Sequence, residues 1–233
     1  MNKKRMDLVN ALYHNPYTNQ RMLAEDTEYS LGKVNQFLKE LQREGYLNER
    51  MGLTRKAYEY IETNRPKNAV ILAAGYGMRM VPINVEVPKG LLAVKGEALI
   101  ERLIRQLQEV GIRKITVVVG FMKEAYEYLI DKYQVELCVN MEYAQKNNLH
   151  SLCLTADQIC GTYIVPCDIW CEQNPFHEME MYSWYMVCDI MDDDSDVRVN
   201  RKEELVRTSS GGIQMIGMAF ISLVDAPLLC RRL

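Results

Sequence analysis

Val70-Ile71-Leu72-Ala73-Ala74-Gly75-Tyr76-Gly77-Met78-Arg79 runs an apolar segment straight into a glycine-bearing loop. A short apolar run bounded by turn residues predicts a buried strand, and the residues after the loop repeat the grammar. A helix is expected over residues 100–110, ended by Gly111. Then come a buried strand over 115–119, a helix around 123–133 and a short strand over 136–139. Strands alternating with helices imply βαβ units and a parallel sheet, hence the α/β class. Ligands on such sheets bind outside the carboxyl ends of strands, which is where Gly75-Tyr76-Gly77 falls.

Glycines at that point let backbone N–H groups close on phosphate oxygens with no Cβ in the way. A Gly-x-Gly pair by itself is equally well explained as a tight strand-to-loop turn. It is not the dinucleotide fingerprint, because the third glycine would fall at Met80, and no Gly-Lys-Ser/Thr comes after it to make a Walker A loop.

Length and composition bound the rest. The 233 residues allow one large domain or two small ones, and 48% hydrophobic with 25% charged residues excludes wholesale disorder. No apolar run reaches the roughly 18 residues of a membrane span. The basic start, Met1-Asn2-Lys3-Lys4-Arg5, leads into an amphipathic stretch rather than a signal-peptide core, so a cytoplasmic protein is expected. Seven cysteines are odd in number and lie mostly in apolar stretches. Cys167 and Cys171 have no second Cys/His pair at zinc-ligand spacing, so the seven read as reduced, buried thiols.

The chain changes character at Asn64-Arg65-Pro66-Lys67-Asn68, where proline disfavours helix at the residue before it. A domain of residues 1–65 and another of 68–233 are therefore expected. The first carries a net charge of +2 and the remainder −5, within an overall −3. Three helices are expected in it, the third starting at Ser30. Val34, Phe37, Leu38 and Leu41 fall at the i, i+3, i+4, i+7 spacing of a packed face, and Gly45 reads as the cap. Residues 46–53 read as a short hairpin and 54–63 as a closing helix. Three helices with a small β-wing resemble the winged helix-turn-helix family. That resemblance puts Lys33, Asn35, Gln36 and Lys39 on the helix that enters the major groove of DNA. A surplus of two charges does not identify a nucleic-acid binder. Packing on the neighbouring domain, or a homodimer contact, are the other uses open to this module.

Beyond the loop, Arg79 is followed by Val87-Pro88-Lys89-Gly90-Leu91-Leu92. The string from Leu72 to Lys89 resembles the signature of the nucleotidyltransferases that make nucleoside-diphosphate sugars and CDP-alcohols. The resemblance implies a Rossmann-like three-layer α/β domain and displacement at the α-phosphorus of an NTP, with pyrophosphate leaving. Charge spreads over phosphoryl oxygens in such a transition state, so positioning, cations and N–H donors carry the catalysis. Leu72, Ala73, Ala74, Gly75 and Gly77 would then hold base and phosphates, Arg79 the β- and γ-phosphates, and Lys89 the α-phosphate. Asp168, closing the apolar run from Tyr163, would bind Mg²⁺, which prefers hard oxygen ligands.

Asn147-Asn148-Leu149-His150-Ser151 resembles a stretch of the phosphocholine cytidylyltransferase branch, which places Asn148 and Ser151 near the nucleotide. With Gly217, Phe220, Ser222 and Asp225-Ala226-Pro227, it favours CTP and phosphocholine over a sugar-1-phosphate; members of that branch also carry an N-terminal winged helix. Choline needs an aromatic face and a carboxylate; Trp170, Trp184, Tyr182 and Tyr185 are candidates for the face. The acidic run Asp192-Asp193-Asp194 reads as an exposed turn. In the family a second magnesium aspartate lies beyond the Asp-Ala-Pro region, and no matching aspartate precedes Leu233. An incomplete domain with little activity by itself is thus the expectation. A regulator that binds DNA and senses a nucleotide through a degenerate transferase domain is the reading from another class.

Overall fold

The structure, a computed structural model, describes residues 2–15, 17, 19–77, 87–209 and 211–233. Four helices come first: α1 (Lys3–His14), α2 (Gln20–Asp26), α3 (Leu31–Arg43) and α4 (Arg55–Thr63). Asn2, Asn19 and Thr54 cap α1, α2 and α4 with side-chain oxygens that accept from backbone N–H groups. Ser30 holds the corresponding place before α3, but its side chain makes no capping bond. The expected stripe on α3 is buried, with Val34 and Leu41 fully so. The expected hairpin over 46–53 shrinks to one bridge, Leu47 to Leu53. Asn48 closes that turn itself, its Oδ1 accepting from Arg50 N and Gly52 N at 2.9 Å each, which leaves little backbone for a ladder.

The rest is built on β1 (Asn68–Ala73), β2 (Ala93–Val94), β3 (Glu97–Ala98), α5 (Leu99–Glu109), β4 (Lys114–Val119), α6 (Tyr128–Tyr133), β5 (Glu136–Val139), α7 (Asn148–Cys153), β6 (Thr162–Pro166), β7 (Trp184–Asp192), β8 (Val197–Val199), β9 (Leu205–Arg207), β10 (Gly212–Ile221) and α8 (Ala226–Cys230). The single helix expected around 123–133 is instead a 3₁₀ turn, Lys123–Tyr126, followed by α6. Six strands form one sheet in the order β5-β4-β1-β6-β10-β7. β5, β4, β1 and β6 are parallel, and β10 runs antiparallel to both β6 and β7.

Alternation along β1 explains the layers. Ala69, Ile71 and Ala73 bury against Ile100, Leu103, Ile104 and Leu107 of α5. Val70, Leu72 and Ala74 belong to the opposite core, with Leu152 of α7 and Ala226 of α8. Both faces of β1 are covered, so its sequence is apolar throughout rather than alternating. This is the expected three-layer α/β arrangement, preceded by a winged helix.

From β1 the chain moves outward to β4 and β5, then returns to place β6 on the other side of β1. The crevice at the carboxyl ends of β1 and β6 is therefore a topological switch point, the favoured ligand position on such sheets. The seven cysteines are free thiols, but the expectation of burial holds for Cys167 and not for the other six, which are partly exposed. Asp193 and Asp194 are exposed at the turn after β7, as the acidic run suggests. Among the described residues, no helix is long and apolar enough to cross a membrane.

Candidate active site

Leu72, one residue before the end of β1, accepts from Cys167 N at 3.2 Å, while Ala74 O accepts from Phe121 N at 3.1 Å. These bonds bring the ends of β1, β4 and β6 to one edge of the sheet. A cleft of about 740 Å³ opens there, lined among others by Leu72, Gly77, Lys89, Asn148, Asp168 and Tyr185.

Lys89 opens a 3₁₀ turn, Lys89–Leu91, and Pro88 with its preset φ stands just before it. The Lys89 ammonium lies 3.0 Å from Asp168 Oδ2, and the two side chains are 13% and 32% exposed. Mostly withdrawn from bulk solvent yet open to the cleft, the pair is screened less than a surface ion pair. An ammonium so held presents a fixed positive charge to an incoming phosphate. The carboxylate presents a hard oxygen donor, and burial of Cys167 behind it pushes that thiol up to about 12. Cys167 is thus a neutral thiol near neutral pH and no nucleophile.

Ala73 and Ala74 are buried, so their backbone is what they can offer a ligand. Asn148 is the first residue of α7 and lines the cleft, while Asn147 caps the helix by accepting from Leu149 N at 3.0 Å. Ser151 is buried, its Oγ bonded to Asn140 Nδ2 at 3.0 Å, and it is not among the residues lining the cleft. Arg79 falls outside the described residues. Asp225 is held by the hydroxyls of Ser183 and Ser222, at 2.5 and 2.9 Å.

Of the four aromatic candidates, Tyr185 lines the cleft. Trp170 is covered by the Arg102 guanidinium, 4.3 Å from its ring centre. Trp184 packs on the core with its ring 6.0 Å from that of Tyr163. Tyr182 donates its hydroxyl to Asp7 Oδ1 in α1 at 3.0 Å. Sequence reasoning misses the cleft wall formed by Met215 and Ile216 of β10 beside Gly217. The register of β10 against β7 shifts between Met215 and Ala219, and Gly217 takes φ +93, which a side chain adopts only under strain. A lone glycine inside an apolar run is the signal that marks such a bulge.

A divalent cation fits the donor chemistry without an all-protein cage. Among the described residues no three His, Cys, Asp or Glu side chains gather as a metal site. Magnesium needs few protein ligands, because waters and substrate phosphates complete its shell. Asp168 is the carboxylate placed to supply one.

On α3, Lys33, Gln36 and Lys39 are exposed and Asn35 is partly so. Gln36 Nε2 bonds Glu40 Oε1 at 2.9 Å. Elsewhere in the helical module, Leu8 and Val9 of α1 share their core with Met179 and Met181.

Residues 69–177 match the family described as MobA-like NTP transferase domain, and residues 1–48 match winged helix-turn-helix DNA-binding. A choline-phosphate cytidylyltransferase of Streptococcus pneumoniae is 41% identical over 108 residues, which are 46% of this chain and 47% of that one. A 2-aminoethylphosphonate cytidylyltransferase of Lancefieldella rimae is 34% identical over 173 residues, 70% of each chain. The solved structure of a CTP:phosphocholine cytidylyltransferase from Streptococcus pneumoniae is 31% identical and covers 72% of this chain and 75% of that one, with a TM-score of 0.63. The matched region thus spans about half the length of the choline-phosphate relative in sequence and more of it in structure.

Proposed function

Because the chain belongs to the MobA-like NTP transferase family and is a cytidylyltransferase-like nucleotidyltransferase, we propose that it transfers a cytidylyl group from CTP to phosphocholine, giving CDP-choline and pyrophosphate. The observation that carries this reading is the Lys89–Asp168 pair at 3.0 Å in the switch-point cleft. A phosphate oxygen of the acceptor attacks the α-phosphorus of CTP. The new P–O bond forms as the bond to the β-phosphate's bridging oxygen breaks, and pyrophosphate departs with the electron pair. The acceptor's second ionisation lies near pH 6 by analogy with phosphoserine, so it arrives as a dianion and needs no general base.

Lys89 neutralises the α-phosphate oxygens, Arg79 the β- and γ-phosphates, and the backbone from Leu72 to Gly77 with Asn148 holds the nucleotide. Ser151 supports that wall through Asn140 rather than by touching the ligand. Asp168 holds Mg²⁺. When bound, the metal supplies charge neutralisation to the phosphates. Tyr185 offers the aromatic face for a quaternary ammonium. The acceptor class, a phosphate or phosphonate joined to an ammonium, also suits the substrate named for the Lancefieldella relative. Residues 1–65 and 68–233 are read as two domains. The exposed Lys33, Gln36 and Lys39 of α3, with the half-buried Asn35, support a DNA-contacting role for the first of them.

Product formation from CTP and Mg²⁺ with phosphocholine, 2-aminoethylphosphonate or glucose-1-phosphate tests this. CDP-choline formation, falling by about 10²–10³ in Lys89→Ala as for loss of one charge-stabilising donor, is the expected result. Turnover with glucose-1-phosphate and not with the two ammonium-bearing acceptors would overturn the choice of branch.

A further inference from the structure

Lys89 reaches Asp168 from a turn that is seated on two other side chains. Gly90, the residue after Lys89, is buried. A Cβ built on it would stand 3.1 Å from the Tyr126 hydroxyl oxygen, 3.1 Å from Cys167 Cβ and 3.2 Å from Cys167 Sγ. Gly90 is not among the glycines with positive φ. Glycine is therefore needed there for space and not for torsion, and its neighbours set that space. Cys167 immediately precedes Asp168, so one face of the seat is continuous with the partner of Lys89.

Tyr126 makes the other face. It ends the 3₁₀ turn that follows β4 and is fully buried, 0% exposed. Its hydroxyl lies against the Gly90 backbone without a hydrogen bond of ordinary geometry, one of the buried polar atoms left unpartnered among the described residues. A buried hydroxyl without a partner destabilises a fold, and phenylalanine would fill the same ring volume without it. Such a group needs an account, and its place against the turn of Lys89 supplies one.

We propose that Tyr126 is a positioning residue for the nucleotidyl transfer: its hydroxyl and Cys167 together seat Gly90 and so fix the Lys89 ammonium against Asp168. The backbone bonds of the turn agree with a rigid mount. Leu91 N donates to Pro88 O at 2.8 Å and Leu92 N to Lys89 O at 3.3 Å, and Leu91 packs on the core beneath the sheet. Three chain segments, after β1, β4 and β6, thereby meet at one atom cluster. The turn cannot shift without moving Tyr126 or Cys167. Misplacement of a catalytic group by about 1 Å can cost on the order of a hundredfold in rate, so a wedge of one oxygen atom is large enough to matter.

The proposal rests on the assignment of Lys89 to the transferred phosphate, and its test separates the two. Gly90→Ala, Tyr126→Phe and the double variant are made in the full chain. Each is measured in two ways: by the ¹³C resonance of reductively methylated Lys89, identified through Lys89→Arg, and by kcat and KM for CTP with phosphocholine. Gly90→Ala is expected to move the Lys89 resonance toward those of exposed lysines and to lower kcat by about tenfold or more, with KM for CTP changed less than about threefold. Adding Tyr126→Phe removes one of the three atoms the new methyl group meets and leaves Cys167 Cβ and Sγ, so the double variant recovers part of both, up to the level of Tyr126→Phe itself. Tyr126→Phe by itself leaves the melting temperature level or higher, since an unpaired hydroxyl is lost, yet lowers kcat.

A tyrosine that merely fills the core would give an unchanged kcat in Tyr126→Phe and no rescue in the double variant, and that result would overturn the proposal. Wild-type protein that makes no product while the Lys89 resonance moves and returns would instead remove the transferase reading and leave the seat standing. If Gly90→Ala does not fold, Tyr126→Phe carries the decision: the Lys89 resonance and kcat either move while stability does not fall, or the seat is absent.

Discussion

The core that joins β1 to α5 draws its buried members from residues 69–220, whereas the core of α1–α4 takes in Met179 and Met181 from the segment between β6 and β7. Around those methionines lie Leu8, Val9, Leu23, Val34, Leu38, Leu41 and Ile61. A module of about 65 residues buries little apolar surface by itself and is marginal for that reason. Polar contacts reinforce the graft: Tyr182 to Asp7, the ion pair of Lys3 with Glu203, and Arg65 within 4.0 Å of Glu178. The joint between the two parts is pinned as well, since Lys67 N donates to Gly161 O at 2.8 Å. The sheet completes the helical module, and among the described residues the module adds no side chain to the sheet's two cores. Damage should therefore travel in one direction.

Leu103→Ala puts that asymmetry to its hardest test. Leu103 is fully buried between α5 and β1, and truncating such a leucine costs about 2–5 kcal/mol. Loosening the sheet also loosens the segment that carries Met179 and Met181. Hydrogen exchange should show α3 losing protection together with β1 and β4. Continued protection of α3 after the sheet has opened would break the comparison.

Met181→Ala is the reverse experiment, with a smaller effect. Met181 is 5% exposed at the margin of its core, where neighbours can close on the gap, so a cost in the lower half of the same range, about 2–3 kcal/mol, is expected. Here α3 and α1 should exchange faster while β1 and β4 keep their wild-type rates. Equal acceleration of the sheet would show that the two cores support each other.

The same asymmetry marks what was legible in the sequence. β1, α5 and β4 follow from periodicity, because their partners are neighbours in the chain and each apolar run answers to one local rule. The loop at Gly75-Tyr76-Gly77 follows from glycines at the end of an apolar run, whereas Lys89 is reached through the family signature and its turn is not. Nothing comparable marks Met179 or Met181. They lie in a stretch without helix or strand, and their burial depends on a helix more than 130 positions away in the chain. β10 is long, but its pairing with β6 and β7 rests on contacts across the chain and is broken by the bulge at Gly217. At the site, the family signature points to both Lys89 and Asp168, yet it does not distinguish Asn148, which lines the cleft, from Ser151, which is bonded to Asn140. A helix of six residues turns its side chains through more than a full circle. Which of them meets the cleft depends on docking that the sequence does not state.

Tyr182→Phe sharpens the comparison at the polar seam. Asp7 accepts from Tyr182 at 3.0 Å across the seam and from Tyr29 at 2.5 Å within the helical module. Both bonds go to the same carboxylate and so share their chemistry. Each phenylalanine variant should cost about 1.5 kcal/mol, the low end for a hydrogen bond to a charged group. Tyr182→Phe should raise exchange along residues 177–182 and α1, while Tyr29→Phe should leave 177–182 unchanged. The same pattern from both variants would mean that the carboxylate is not a seam contact.

The smallest effect concerns His177, at the start of the segment that enters the helical core. Its Nδ1 lies 3.0 Å from Glu180 Oε1, and Glu180 also accepts from the buried Tyr163 hydroxyl at 2.7 Å, which ties the segment to β6. The hydrogen bond with Glu180 raises the His177 pKa above its ordinary 6.5, against a smaller opposing effect of burial. A raised value in the folded state means that the folded protein binds the proton more tightly than the unfolded chain does. The contribution to stability is then fully present below pH 6.5 and is lost as pH rises through the folded value. The His177 side chain is 67% exposed, so screening should hold the effect below about 1 kcal/mol. The melting temperature of wild type minus that of His177→Gln should therefore shrink between about pH 5.5 and pH 8, with the change in exchange falling on α1 and α3 rather than on β1. A difference that grows with pH would reverse the sign of the pairing, and one that falls on β1 would show the segment bracing the sheet instead of the helices.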